Sequence, residues 1–299
     1  FCSPECQRAS WPSHCARCQR VAAAHAAHWA LSSSSAAPPL QVITLVSARV
    51  IVGMTSLPSR LGAIGAALRS IAAQGRRPDR LVLSLPRKSA RTGQEYSLQG
   101  AAELQMVLEE HRWVEVQWLD TDFGPGTKLL GTLHWLQRNG GCRGDDLLMV
   151  LDDDHCYLPH VLGELAQAQL ARGPSSACSF FAYFFRGLMV PQGADVIAFS
   201  PGAQRPELVR DFFDTFVDGD GACFLVDDLW IGTYFFICGI QVVSLRELVV
   251  KRGLEMVYTR AASAGVDALE RLGGEDRRDR VMVRAFDGLV ARLVAAGPE

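Results

Sequence analysis

The chain has 299 residues, of which 48% are hydrophobic and 21% charged, so it can form one large folded domain or two smaller ones. The formal net charge of -2 provides no basic footprint of the kind that binds nucleic acid. No apolar stretch reaches the roughly 18 residues that a membrane span needs. Because the first residue is Phe1 rather than Met, we interpret the sequence as a fragment or an incomplete gene model, so its start does not tell whether a targeting signal or anchor precedes it.

The first part of the chain contains a close cluster of metal-binding residue types with the spacing C-x3-C-x7-H-x3-C. Thiolate and imidazole ligands at this spacing suit tetrahedral Zn²⁺, whereas the alternative is a set of incidental cysteines. With Gln7 and Trp11, the run resembles the second half of a MYND zinc finger, a cytosolic or nuclear peptide-binding module. The resemblance implies a peptide partner and slightly favours a cytoplasmic location, which the rest of the sequence leaves undetermined. The implied zinc ligands are Cys2, Cys6, His14 and Cys18.

A change of composition separates this cluster from the remaining chain. Residues 19–30 are predicted to be helical, and Ser32–Pro39 is rich in Ser, Ala and Pro, which is typical of a linker. We therefore predict a partial zinc finger at 1–20, a helix and linker at 21–40, and one large domain at 41–299.

The large domain alternates between short β-branched or apolar runs and longer segments with helical periodicity. A strand at 50–54, a helix at 61–71 and a strand at 80–86 form a β-α-β unit, which favours a parallel sheet. We predict an α/β fold with a mixed, mainly parallel sheet flanked by helices. Further strands are predicted at 42–46, 114–119, 147–151 and 240–243, and helices at 129–136, 161–171, 227–236 and after 245, with a charged turn at 277–280.

The most informative stretch is the apolar run Leu147–Leu151, which continues directly into Asp152, Asp153 and Asp154. Such a run indicates a strand buried on both faces, and ligands of open α/β sheets bind beyond the carboxyl ends of such strands. Adjacent carboxylates there suit Mg²⁺ or Mn²⁺. The alternative is an acidic surface turn after a core strand.

Two other stretches carry candidate chemistry. The segment from Gly124 to Lys128 places two glycines and a proline before a helix, which suits an anion at a helix N-terminus, although it lacks the Walker A spacing. Its alternative is a plain turn with a surface lysine. Asp227 and Asp228 begin a strongly apolar helix, where acids favour the helix dipole. A helix this apolar must be buried, so we expect its head to point into a cleft.

Five stretches in this order resemble nucleotide-sugar glycosyltransferases of the GT-A fold from algae, algal viruses and bacteria. The resemblance spans about residues 48 to 245 and implies a GT-A, Rossmann-like fold. It also implies metal-dependent transfer of a sugar from a nucleotide-sugar donor to a hydroxyl of a glycan or other acceptor. The stretches are Thr55–Arg60, Leu83–Pro86, Asp122–Leu129, Val150–Tyr157 and Asp227–Trp230.

The resemblance assigns roles to individual acids. Asp152 and Asp154 would bind Mn²⁺ or Mg²⁺, which bridges the donor diphosphate, and Asp153 would contact the ribose or the sugar. In an inverting enzyme, Asp228 would deprotonate the acceptor hydroxyl, with Asp227 as a helper or a sugar contact, although the two roles are exchangeable.

The remaining predicted contacts surround the nucleotide and the acceptor. Thr55, Pro58 and Arg60 would cradle the nucleotide, and Lys128 would add positive charge near the phosphates. The other implied contacts are Asp122 with the base or ribose, and Asp195 with the loop to Gly202 on the acceptor side.

Two other functions compete with this interpretation of the sequence. In one, the finger binds peptides and the α/β domain is catalytically silent; in the other, the acids and a metal serve a nucleotidyltransferase or phosphatase. The enzymatic interpretation requires that the triplet at 152–154 lie beside Asp227 and Asp228.

Overall fold

A computed structural model describes residues 48–203, 206–219, 221–247, 257–261 and 275–296. The predicted zinc ligands, the helix at 19–30, the linker and the strand at 42–46 lie outside these ranges. Zinc binding and the three-part domain division therefore stay predictions.

The central feature of the described chain is a seven-stranded sheet in the order β10-β6-β9-β4-β1-β2-β3. All neighbours in it are parallel except β9, which runs antiparallel to both β4 and β6. A mixed, mainly parallel sheet is thus confirmed. Strands β5 and β11 form a separate antiparallel pair, and β7 and β8 form a hairpin. The strands are β1 (Val50–Met54), β2 (Arg80–Pro86), β3 (Val114–Leu119), β4 (Leu147–Val150), β5 (His155–Tyr157), β6 (Ser176–Ser179), β7 (Ala182–Phe185), β8 (Leu188–Pro191), β9 (Ile197–Phe199), β10 (Gln241–Ser244) and β11 (Tyr258–Arg260).

Helices cover both faces of this sheet, which explains why its central strands are almost continuously apolar. One face shares a hydrophobic core with α1, α2 and α4, and the other shares a second core with α3, α5, α7 and α8. Within the described ranges, no helix combines the length and the apolar character that crossing a membrane would require. The helices are α1 (Gly65–Ala72), α2 (Ala102–Glu110), α3 (Thr127–Arg138), α4 (Val161–Arg172), α5 (Pro206–Phe216), α6 (Gly221–Phe224), α7 (Asp227–Ile237) and α8 (Glu275–Ala295).

Close packing of α3 on β1 positions the first turn of that helix. A Cβ atom at Gly53 would lie 2.4 Å from the carbonyl oxygen of Lys128 and 2.4 Å from Oγ1 of Thr132. Only glycine allows the helix this close to the strand. The approach brings the start of α3 to the carboxyl end of β1.

The antiparallel strand β9 contributes a turn to the same edge of the sheet. Ile197 of β9 pairs with Val150 at the end of β4, so the turn Gly193–Asp195 before β9 lies where Asp152–Asp154 leave β4. The carboxyl ends of β1 and β4 and the amino end of β9 therefore meet.

Two predictions about the last part of the chain are wrong. The chain after 245 is not all helical, because the strand β11 at Tyr258–Arg260 pairs with β5. The charged run at 277–280 lies in the long helix α8 rather than in a turn. This helix buries Met282, Ala285 and Leu289 at helical spacing, so one apolar face suffices to hold a helix that is otherwise highly charged.

Candidate active site

The acidic triplet lies at the carboxyl end of β4, and a buried tyrosine fixes its first residue. The hydroxyl of Tyr157 accepts the N–H of Asp152 at 3.0 Å and donates to the carbonyl oxygen of Asp152 at 3.2 Å. The N–H of Tyr157 in turn donates to Oγ of Ser70 on α1 at 3.0 Å. The backbone at Asp152 is therefore held by two layers of hydrogen bonds.

The middle acid points into the loop that follows β1. Asp153 is 6% exposed. Its two carboxylate oxygens accept hydrogen bonds from Oγ of Ser56 at 2.5 Å and from Nη1 of Arg60 at 2.8 Å. Burial raises the pKa of Asp153 more than Arg60 and Ser56 lower it. In the same loop, Thr55 donates to the carbonyl oxygen of Ser84 at 2.8 Å. The loop predicted to cradle a nucleotide is thus tied to the triplet.

Pro58 and Asp122, which were also predicted to contact the nucleotide, lie in two different turns. Pro58 lies in a short 3-10 turn that ends at Arg60. Asp122 uses both carboxylate oxygens on the backbone, accepting the N–H of Gly124 at 2.8 Å and that of Ala90 at 2.7 Å. Asp122 therefore shapes the turn before α3, and its contact with a base or ribose stays a prediction.

Lys128 is the centre of the site. Its side chain is 3% exposed, and its Nζ lies 2.5 Å from Oδ1 of Asp152 and 2.9 Å from Oδ2 of Asp227. The alternative of a surface lysine is therefore wrong. Burial lowers the pKa of Lys128, but Asp152, Asp227 and Asp228 outweigh it and hold the pKa well above its ordinary value. The ammonium stays charged and joins the triplet to the acid pair.

The second acid of the pair is held by the turn before β9. Oδ1 of Asp228 accepts the N–H of Gly193 at 2.8 Å. A Cβ at Gly193 would lie 2.5 Å from Nζ of Lys128 and 3.2 Å from an oxygen of Asp152 and of Asp228, so these groups surround one point. Burial and the neighbouring Asp227 raise the pKa of Asp228 well above its usual range, although Lys128 acts in the opposite direction.

Asp195 lines the site from the same turn and is 5% exposed. Burial is the main cause that raises the pKa of Asp195 to about 7, while His155 lowers it and Asp152 raises it. The next residue, Val196, has a φ of 60°, a value that a β-branched residue rarely adopts. Such backbone strain is concentrated at functional sites. The predicted contact of Asp195 with the acceptor stays a prediction.

A divalent cation fits this site. One donor atom each from Asp152, Asp154 and His155 can be chosen so that all lie within 4.8 Å of one another. Carboxylate oxygens with one imidazole form a donor set that suits Mn²⁺. His155 was not predicted as a ligand, and the available signal was its position directly after the third acid.

The structure thus brings together the triplet, Lys128 and the acid pair, which the sequence places in three separate stretches. Arg60 lies on the other side of the triplet, with Nη1 3.4 Å from Oδ2 of Asp154. The condition set by the sequence, that the triplet lie beside Asp227 and Asp228, is met.

Comparison with known proteins yields distant structural neighbours. No model of a protein family matches the chain, and no curated protein matches it. Glucosyl-3-phosphoglycerate synthase from Mycobacterium tuberculosis, solved with Mn²⁺, UDP-glucose and glycerol 3-phosphate, is 13% identical with a TM-score of 0.48, covering 85% of each chain.

Two other neighbours cover 70% of this chain. TarS of S. aureus is 17% identical with a TM-score of 0.41, and the match covers 36% of that chain. A 4-diphosphocytidyl-2C-methyl-D-erythritol synthase is 11% identical with a TM-score of 0.40, and the match covers 99% of that chain.

Proposed function

We propose that the chain is a metal-dependent glycosyltransferase that moves a sugar from a nucleotide-sugar donor to an acceptor hydroxyl. The observation that carries this proposal is the contact of one buried ammonium, Lys128, with both Asp152 and Asp227. A proposed metal ligand and the neighbour of the proposed base consequently contact one ammonium. Group transfer needs this proximity because donor and acceptor must react side by side.

Asp152 and Asp154 are the proposed metal ligands. The side chain of Asp152 is 33% exposed and that of Asp154 is 18% exposed, so a cation and a donor can reach both carboxylates. A bound Mn²⁺ or Mg²⁺ would neutralise charge on the diphosphate leaving group. Arg60, beside Asp154, adds positive charge where the loop after β1 would cradle the nucleotide.

Asp228 is the proposed base that takes the proton of the acceptor hydroxyl. The N–H of Gly193 holds one of its oxygens and so orients the carboxyl group. Because burial and Asp227 raise the pKa of Asp228, transfer should increase with pH as Asp228 ionises. Asp227 helps by holding Lys128, whose charge favours the ionised form of Asp228.

The first experiment identifies a donor. Thermal unfolding is recorded with UDP-, GDP- and dTDP-sugars, each with and without Mn²⁺. A ligand that binds the folded state raises the melting temperature by mass action, and we expect this rise to require Mn²⁺ for one nucleotide. The proposal fails for these donors if no combination shifts the transition.

The second experiment tests the metal acids in transfer or donor hydrolysis. Asp154→Asn should abolish the activity because an amide oxygen is a weaker ligand than a carboxylate. Asp120→Asn is the matched control, since Asp120 is exposed directly after the edge strand β3 of the same sheet. Full activity of Asp154→Asn, with an unchanged Mn²⁺ requirement, would refute the metal role.

Zinc binding by the N-terminal cluster is a separate proposal that rests on the sequence alone. Metal analysis of the purified chain should find zinc, and it should be lost when Cys2 and Cys6 are both replaced by serine. A zinc-free chain would refute this ligand assignment and would leave the proposal of a transferase site unaffected.

A further inference from the structure

The imidazole of His155 occupies an unusual position beside the acidic triplet. His155 is 9% exposed, and its Nδ1 lies 2.8 Å from Oδ1 of Asp154. Within the part of the chain that the structure describes, this nitrogen has no well-aligned hydrogen-bond partner. Buried polar atoms rarely lack a well-aligned hydrogen bond, so a ring nitrogen that touches a carboxylate without that alignment points to a ligand that both groups share.

The imidazole is also near the oxygens that are proposed to bind the cation. Donor atoms of Asp152, Asp154 and His155 lie within 4.8 Å of one another. We propose that His155 is a third protein ligand of this cation and that Tyr258 positions its ring. The inference rests on the proposed metal site, and it favours Mn²⁺ over Mg²⁺, because imidazole nitrogen suits transition metals better than magnesium.

Strand β11 supplies the positioning group. The ring of Tyr258 approaches that of His155 edge-on, with centroids 3.9 Å apart and planes inclined by 67°. Beyond this strand, the N–H of Ala261 donates to the carbonyl oxygen of Asp154 at 2.9 Å. The ring of His155 is therefore packed by the same segment that holds the backbone of the neighbouring ligand. Residues around a metal-bound imidazole fix its orientation in this way.

Pulsed electron paramagnetic resonance of the Mn²⁺-loaded chain tests direct ligation. The wild-type protein should show hyperfine coupling between Mn²⁺ and a directly bound nitrogen, and His155→Ala should lose it. If wild-type protein binds Mn²⁺ without this coupling, the inference is overturned, and this outcome does not depend on how well any variant folds.

Mn²⁺ titration provides the second measurement. His155→Ala should weaken Mn²⁺ binding by about tenfold or more, the range seen when a metal site loses a supporting group. His134→Ala is the matched control, because His134 is exposed on α3 with its Nδ1 3.2 Å from Nε2 of Gln117. We expect this control to bind Mn²⁺ as the wild type does.

The titration separates this inference from the proposed function. If Asp154→Asn loses Mn²⁺ binding but His155→Ala keeps the wild-type affinity, the carboxylates suffice and only the role of His155 is overturned. If the wild-type chain binds no Mn²⁺, both proposals fail.

Two substitutions test the role of Tyr258. Tyr258→Phe keeps the ring edge that touches His155, so its Mn²⁺ affinity and nitrogen coupling should match the wild type. Tyr258→Ala removes the ring and should weaken binding several-fold and alter the coupling. A loss of stability alone would not change the coupling. Wild-type coupling and affinity in Tyr258→Ala would therefore contradict the positioning role.

Discussion

Nζ of Lys128 and Oδ2 of Asp227 lie 2.9 Å apart inside the protein, one at the start of α3 and the other at the head of α7. The same ammonium contacts Asp152, so a single cation joins the proposed metal ligands to the proposed base and its neighbour. Removing it would leave carboxylates facing one another in a largely buried space.

Replacing Lys128 should therefore destabilise the fold. Lys128→Met keeps an unbranched side chain of similar length but leaves Asp227 without its charged partner. Breaking a buried ion pair costs about 3–5 kcal/mol, and we expect the lower end because Asp152 is a third exposed. Urea unfolding in EDTA measures the change in unfolding free energy. Lys88→Met, at an exposed position, should change it by less than about 0.5 kcal/mol. Equal stability of both variants would contradict the buried bridge.

The absence of a side chain at Gly193 is needed for this arrangement. Gly193→Ala puts a methyl group where Nζ of Lys128 lies 2.5 Å away, so the ammonium must move off its carboxylates. Overpacking of this kind costs about 1–3 kcal/mol. We expect a lower melting temperature together with weaker Mn²⁺ binding. In Gly62→Ala, where no atom lies within 4 Å of the added group, neither quantity should fall. If Gly193→Ala matches this control in both quantities, the site accommodates the methyl group and the requirement for glycine is contradicted.

The two acids of the pair should differ when each is changed to asparagine. Asp228 has a raised pKa and needs only a carbonyl oxygen to accept the N–H of Gly193, so Asp228→Asn should keep stability within about 1 kcal/mol. It should nevertheless lose transfer by about 10²- to 10⁴-fold, since an amide is no base. Asp227→Asn should instead lower stability because Lys128 loses a charged partner. If transfer survives in Asp228→Asn but not in Asp227→Asn, the roles are exchanged.

The raised pKa of Asp195 predicts how the stability of the metal-free chain depends on pH. Burial raises its pKa from 3.8 to about 7, so between these values the folded state keeps a proton that the unfolded state has lost. Stability from this group should fall as pH rises through that window, by up to about 1.4 kcal/mol per pH unit. Asp195→Asn should flatten the profile, measured by denaturant unfolding in EDTA from pH 4.5 to about 7. An unchanged slope would contradict the assignment to Asp195.

The elements of the α/β fold were predictable where local pattern decides structure. The strands at β1, β2 and β3 were predicted with the observed bounds, because short runs between turns that are rich in β-branched residues or alternate in polarity favour strands over helices. The helix at α7 was also predicted, since a strongly apolar segment that begins with two acids favours a buried helix. Strand β11 was missed because three residues carry too weak a periodicity.

The site was predictable as separate candidate stretches, but its arrangement was not. Carboxylates that follow an apolar strand and begin an apolar helix are recognisable from the sequence, since both are local patterns. The burial of Lys128 between these acids, and its close approach to Gly193, arise from the fold. These contacts depend on the antiparallel placement of β9 and the close packing of α3 on β1. Such pairings join residues distant in the chain, so no local pattern records them.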